Sequence, residues 1–415
     1  MRTFARAWLS GDERTLGAFL ALGVLTMAFF RLDELRADLG AGVDPLGLLL
    51  VITALTWWSL LPRSFVWRDP ADLTWRDFAT TNRAALITQR LTGHWLGRQL
   101  ALAYVLAVLA ALVAAPATWV LAGAAVLTGA GALALAAART PARRAEPTVP
   151  LLLAAAALVA PGTPVLFALA VALAAGVFLY LGAPPIAAAG RQTLVDGWRD
   201  RVLRVSGVQF LDLALLLPAA RPVRPRRLRA GLRLVWTGVL GRSRHVPTAV
   251  LLAVTAVVVH RTFPALPDLV VFAVPGYLAL VPLVAGLGEL WRSPGRRRWV
   301  GRGDTALRRD HLVVTTALAA AWSVPVWLTG GWDTPVLLAA PVLAAAAVRT
   351  MTRCPPSYDN LIPVDTPLGT LPMRLVAQTV RGPDLGILAL VLVNGTPWWT
   401  AALATGLAMA VAVFR

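Results

Sequence analysis

Lysine is absent from all 415 residues; the 39 basic side chains are all arginine. A P-loop nucleotidase needs a lysine to reach the β- and γ-phosphates, so the chain holds no ATP-hydrolysing site of that kind. Cysteine is nearly absent too. The single Cys354 excludes an internal disulfide and a thiolate-cluster metal centre. The four histidines, His94, His245, His260 and His311, are scattered, and none stands at metal-ligand spacing from a second His or a Glu. Charged residues make up only 14% of the chain and hydrophobic ones 58%. Soluble domains run nearer a quarter charged and half apolar, so a water-soluble globule could not hide this much apolar surface.

Apolar runs recur along almost the whole length, at 16–30, 45–62, 99–115, 118–138, 149–161, 164–183, 247–260, 268–288, 311–329, 334–348, 383–396 and 397–414. A bilayer span takes roughly 20 apolar residues. The reading is therefore an all-α integral membrane protein of about 12 transmembrane helices. The runs 149–161 and 383–396 are short enough for broken or re-entrant helices. The first run follows a basic N-terminus, as in a signal peptide, but leads into Arg31, Leu32, Asp33 and Glu34 without a small-residue cleavage site, which predicts an uncleaved span. No Asp, Glu or Arg sits inside a run away from its ends. Ion-coupled transporters, intramembrane proteases and lipid-phosphate enzymes usually keep such residues, so those classes are disfavoured.

The net charge of +18 would suit a nucleic-acid binder, but its distribution does not. With the N-terminus inside, the outer loops hold only Arg31, Arg36 and Arg261, and every other arginine falls on the inner side. The positive-inside rule then gives N-in/C-in. Anionic membrane lipids or an acidic cytoplasmic partner are the fitting counter-charges, with no nucleic acid among the partners. Trp119, Trp332, Trp398 and Trp399 fall at outer ends, and Trp57, Trp58 and Trp291 at inner ends, as interfacial anchors do. The lack of lysine with abundant Ala, Leu, Val and Gly suggests a GC-rich bacterial genome and hence a bacterial plasma membrane.

A basic stretch, 184–246, divides the chain into two six-helix halves, 1–183 and 247–415. Within the stretch, 208–220 is too short to span and reads as an interfacial or buried helix. Leu232, Val235, Trp236 and Val239 recur at helical spacing, with Arg229 and Arg233 on another face, which predicts an amphipathic helix. Segment 2–14 opens the first half in the same way. In each half the loop between the second and third spans is long, basic and inner: 63–98 and 289–310.

These two loops carry the candidate chemistry. The first reads Arg68–Asp69–Pro70–Ala71–Asp72–Leu73–Thr74–Trp75–Arg76–Asp77. Pro70 suits the start of a short helix, with Asp69 as cap and Asp72 in the first turn. The second reads Trp291–Arg292–Ser293–Pro294–Gly295–Arg296–Arg297–Arg298–Trp299. Taken singly, such arginines enforce orientation and such tryptophans anchor at headgroups. Taken together at matching positions, they suit a protein contact, where Trp and Arg dominate the binding energy. The candidate partner-binding residues are Arg68, Asp69, Asp72, Trp75, Arg76, Arg296, Arg297, Trp299 and Arg308. In 349–382, Pro and Gly at high density dictate turns, a connector.

The layout resembles the permease half of a type-2 ABC exporter, occurring twice in one chain: a basic amphipathic helix, six spans, and an inner helix between spans two and three. The segments Asp69–Trp75, Arg308–Arg309–Asp310–His311, Thr366–Pro372 and Arg381–Asp384 are similar to large fused actinobacterial members of that class. The resemblance implies energy from two separate ATPase subunits docking on inner coupling helices, which would include Asp69–Asp77 and Arg296–Arg308. It also implies a translocation path between the halves. The chain itself is then not an enzyme and has no catalytic, cofactor-binding or metal-binding residues. The competing readings are a non-transporting membrane scaffold or assembly factor, and a membrane enzyme acting on lipid-linked substrates.

Overall fold

The computed structural model describes residues 23, 26–27, 30–39, 45–76, 83–159, 185–209, 216–217, 220–223, 230–332, 334–353, 363–366, 369–372, 380–393 and 397–414. The expected amphipathic segment 2–14, most of the run 16–30, the run 164–183, most of 208–220, Asp77, Arg229 and Cys354 lie outside them.

The described residues are overwhelmingly helical. Helix α1 (Leu32–Leu39) leads to apolar α2 (Pro45–Trp58), a short α3 (Pro70–Arg76), and then α4 (Arg83–Leu112), α5 (Ala117–Ala138) and α6 (Thr148–Ala156). The second part begins with α7 (Arg191–Gln209) and α8 (Ala230–Leu240). It continues through α9 (Val246–Thr262), α10 (Asp268–Arg292), a short α11 (Pro294–Trp299) and α12 (Asp304–Gly330). A 3-10 turn at Thr334–Leu338 opens α13 (Ala339–Met351), and α14 (Pro383–Val393) and α15 (Trp398–Phe414) follow. The Pro- and Gly-rich connector contains an antiparallel hairpin, Pro363–Thr366 paired with Gly369–Pro372.

Five of these helical stretches are long and apolar enough to cross a membrane: Arg83–Leu112, Ala117–Ala138, Ser243–Thr262, Asp268–Arg292 and Asp304–Gly330. The chain is a multi-pass membrane protein. Two helices start well before their apolar runs. Helix α4 begins at Arg83 rather than near 99, because Ala84 to Leu91 contains no proline and mostly good helix formers. Helix α12 begins at Asp304, whose carboxylate suits the positive end of the helix dipole, and stops at Gly331, held at φ 74°. The loops 63–98 and 289–310 are therefore partly helical. At 1.5 Å per residue, the 9 residues of α6 and the 11 of α14 reach only about 14–17 Å. Neither crosses a hydrocarbon core of about 30 Å by its own length.

Helix α13 sits at the centre of the second half. Ala339, Ala340, Val342, Ala344 to Ala347 and Val348 are buried, and these small side chains let α10, α12, α14 and α15 pack around it. The halves meet along α9. Its Leu251, Val254 and Val258 join the core formed by Val51, Ala54, Trp57, Val149 and Leu153 of α2 and α6, while Ala249, Ala256 and Val257 belong to the second-half core. Two expected interfacial tryptophans are packing residues instead. Trp57 is buried, and Trp332 is buried with its ring stacked on His260 at 4.0 Å and edge-on to Phe272. Both carry more apolar area inward than a headgroup contact would cover.

The three arginines assigned to the outer side are each engaged locally. Arg31 pairs with Glu34. Arg36 donates to the carbonyls of Leu112 and Ala111 at the C-terminus of α4, and Arg261 to those of Leu158 and Thr329. A cation is favourable where a helix ends in unpaired carbonyls.

The stretch that follows α2 is locked by a buried ion pair. Arg63 contacts both Glu146 carboxylate oxygens, at 3.0 and 2.9 Å, with side-chain exposures of 7% and 0%. It also donates to the carbonyls of Leu60, Ala137 and Thr140. One side chain thus ties the end of α2 to the C-terminus of α5 and to the turn before α6.

Candidate functional site

The loops 63–98 and 289–310 are built on one plan. Trp67–Arg68–Asp69–Pro70 with Trp75, and Trp291–Arg292–Ser293–Pro294 with Trp299, share the spacing Trp-Arg-x-Pro followed by a tryptophan after four residues. In each, the proline starts a short helix, where its fixed φ fits and its missing N–H costs nothing. Asp69 Oδ1 accepts a bond from the Ala71 N–H at 2.9 Å, acting as the cap that Asp supplies at helix starts.

The first tryptophan of each motif is clamped by two guanidinium groups. Arg90 of α4 lies 3.6 Å and Arg201 of α7 lies 4.5 Å from the Trp67 ring centroid, and Trp198 packs beside it at 5.1 Å. Arg297 of α11 and Arg308 of α12 lie 4.6 and 4.5 Å from the Trp291 centroid. Each such contact contributes about 0.5–2 kcal/mol. In both halves one of the two clamps comes from the long helix that follows the short one.

The last tryptophan of each motif faces the other way. Trp75 is 80% exposed and Trp299 is 91% exposed. On α3 this follows from the helical period. Leu73 is buried against Phe65, Ile87, Leu91 and Leu194, and Trp75, two positions on, points away from that cluster.

The candidate residues therefore divide. Arg68 is 4% exposed; its N–H donates to the Leu194 carbonyl and its side chain stands 4.0 Å from Asp72. Arg297 meets Asp304 at 3.3 Å as well as Trp291, and Arg308 reaches the Val413 carbonyl. These three arginines brace the loops. Asp69 caps, and Arg76 is the last residue of α3. Trp75, Trp299 and Arg296 present outward-facing surface. The expected inner helix Arg296–Arg308 is not continuous: it breaks after Trp299 at Gly301, which adopts φ 68°, and resumes at Asp304. Among the described residues no three His, Cys, Asp or Glu side chains converge as a metal site.

Sequence reasoning passes over Trp67, Arg90, Trp198 and Arg201, which hold the first loop in place, and reads Trp291 as an interfacial anchor rather than the clamped ring it is. The repeated Trp-Arg-x-Pro spacing was the available signal. Searches against models of known families, curated proteins and solved structures find no match to the chain.

Helix α7 locks the first loop through a close backbone approach. A Cβ at Gly197 would stand 2.0 Å from the Val66 carbonyl oxygen, so only glycine lets the helix sit this near. Gly197→Leu should push α7 off the loop at a cost of about 1–3 kcal/mol. It should break the Arg201 clamp and let α7 unfold locally, so that its surface arginines become cleavable by trypsin. Cleavage at least several-fold faster than wild type is the expected result, and an unchanged cleavage rate would contradict this docking.

Proposed function

We propose that the chain is the fused permease subunit of an ATP-driven exporter of the type-2 ABC class. It would have twelve spans in two six-helix halves joined by the basic stretch 184–246, with both termini inside a bacterial plasma membrane. The translocation path runs between the halves. Two separate ATPase subunits dock on the helices Pro70–Arg76 and Pro294–Trp299, and their closure drives alternating access.

The observation that carries this reading is the duplicated docking element. Each half offers a braced short helix between an apolar helix and a long helix, with one almost fully exposed tryptophan. Two tryptophans that the chain itself leaves uncovered, on short helices next to clamped rings, make physical sense if something else covers them. The absence of lysine supports an external source of ATP hydrolysis. The pairing of Arg31, Arg36 and Arg261 with local partners supports the orientation, since these exceptions to the inner arginine bias have their own structural uses.

The test is isolation of the chain from native membranes in mild detergent, followed by mass spectrometry. A P-loop ATPase at about two copies per chain is the expected companion. Repeated recovery of other membrane enzymes in its place would favour the scaffold reading.

A further inference from the structure

An open cavity of about 790 Å³ lies between α8, α10 and the start of α11. Its lining includes the ion pair of Arg242, 1% exposed, with Glu289, 48% exposed. Arg242 Nη1 donates to the Gly238 carbonyl at 3.0 Å. A Cβ at Gly286 would come within 3.1 Å of the same nitrogen, so the bare backbone of α10 leaves the guanidinium its room. Arg221 and Arg296 are exposed on the rim, and Leu234 and Leu290 form an apolar wall. Three arginines against the single carboxylate of Glu289 leave the lining positive.

A cationic rim beside an apolar wall fits an amphiphile with an anionic head. We propose that this cavity binds the phosphate headgroup of an anionic phospholipid of the inner leaflet, with Arg221 and Arg296 on the phosphate and Leu234 and Leu290 against the first carbons of the acyl chains. The leaflet assignment rests on the inner placement of 184–246 in the proposed function. Arg296 belongs to the docking helix α11 itself, so the site couples lipid occupancy to the position of α11.

The experiment uses the full chain, delipidated in detergent and returned to vesicles of phosphatidylcholine with a minority of phosphatidylglycerol. Native mass spectrometry then reads the lipids retained. Wild type should keep phosphatidylglycerol selectively. Arg221→Gln with Arg296→Gln should weaken that retention about thirtyfold, from about 1 kcal/mol per arginine. Arg199→Gln with Arg204→Gln, which removes equal charge from α7, should leave it intact. Equal losses in both double variants would mean only general surface charge and would overturn the site. Displacement of the lipid by millimolar inorganic phosphate would assign the cavity to a soluble phosphate instead. Pro222→Cys in a Cys354→Ser chain should resist impermeant labels on intact cells. Labelling there would overturn the inner-leaflet assignment while leaving lipid selectivity standing. The readouts need no ATPase, so their failure and the failure of the docking reading are distinguishable.

Discussion

Arg63→Ala is expected to destabilise the protein by about 3–5 kcal/mol, the usual result of removing one partner of a buried ion pair. The Glu146 carboxylate is fully buried, and Arg63 is the cation bonded to both of its oxygens. Without Arg63 a charge is left in a place water does not reach, and the Thr140 carbonyl loses its guanidinium donor, while the Ala137 carbonyl keeps the Thr140 hydroxyl and N–H. Arg63 also adopts φ 50°, a left-handed conformation costing about 1–2 kcal/mol for a non-glycine residue, which the five side-chain bonds hold in place. Arg63→Gly removes that strain but not the unpaired carboxylate, so it should also destabilise, by somewhat less. Glu146→Gln should be milder still, because an amide keeps an acceptor for the guanidinium. Replacing both partners, Arg63→Met with Glu146→Leu, should recover most of the loss, since apolar pairs often substitute for buried ion pairs without net cost. Thermal unfolding in detergent, followed by loss of the monodisperse species, measures the series. A single Arg63→Ala variant as stable as wild type would show that the pair is not structural.

On the proposed function, Trp75→Ala with Trp299→Ala should weaken ATPase binding by about 2 kcal/mol at each proposed docking helix, roughly thirtyfold per site. The two rings are 80% and 91% exposed, so truncating them leaves no cavity and removes no contact from the core. Yield, membrane insertion and thermal stability should stay at wild-type levels while the co-isolated ATPase is lost. Trp399→Ala is the control, because Trp399 is a half-exposed tryptophan on α15, away from both loops in sequence. The bracing residues should behave differently. Trp67→Ala and Trp291→Ala each remove the ring that two arginines clamp, so they should loosen the loop and lose the partner together with local protease resistance. If the exposed-tryptophan double variant retains its ATPase in full, the two rings are headgroup anchors and the scaffold reading gains.

Much of the fold was legible because helix signals in a membrane chain are long and redundant. The runs 118–138 and 268–288 match α5 and α10 closely, and Leu232, Val235, Trp236 and Val239 do pack as one face of α8, against Val314 and Leu318. Apolar runs mark where lipid or core contact begins, not where backbone hydrogen bonding begins. That is why α4 and α12 start many residues ahead of the hydrophobic signal, in stretches such as Arg83 to Arg98 whose polar residues still favour a helix. The candidate loops were found from Pro, Trp and Arg in matching places, and Trp75 and Trp299 are the exposed members. Arg68, Arg297 and Arg308 were legible as candidates and prove to be braces, but the clamp on Trp67 was not legible, because Arg90 and Arg201 approach it from 23 or more positions away, and no local pattern encodes that meeting. Arg63 and Glu146 were hidden for the same reason. Each reads as an ordinary loop charge until the fold puts them 2.9 Å apart.

ATP hydrolysis in reconstituted membranes tests the central claim most directly. The purified chain alone should hydrolyse no ATP above the protein-free background, having no lysine for a P-loop. The complex isolated from native membranes should hydrolyse ATP, and its activity should fall on washing away the partner and return on adding it back. Hydrolysis by the chain free of any other protein, or a native complex that contains no ATPase, would contradict the account.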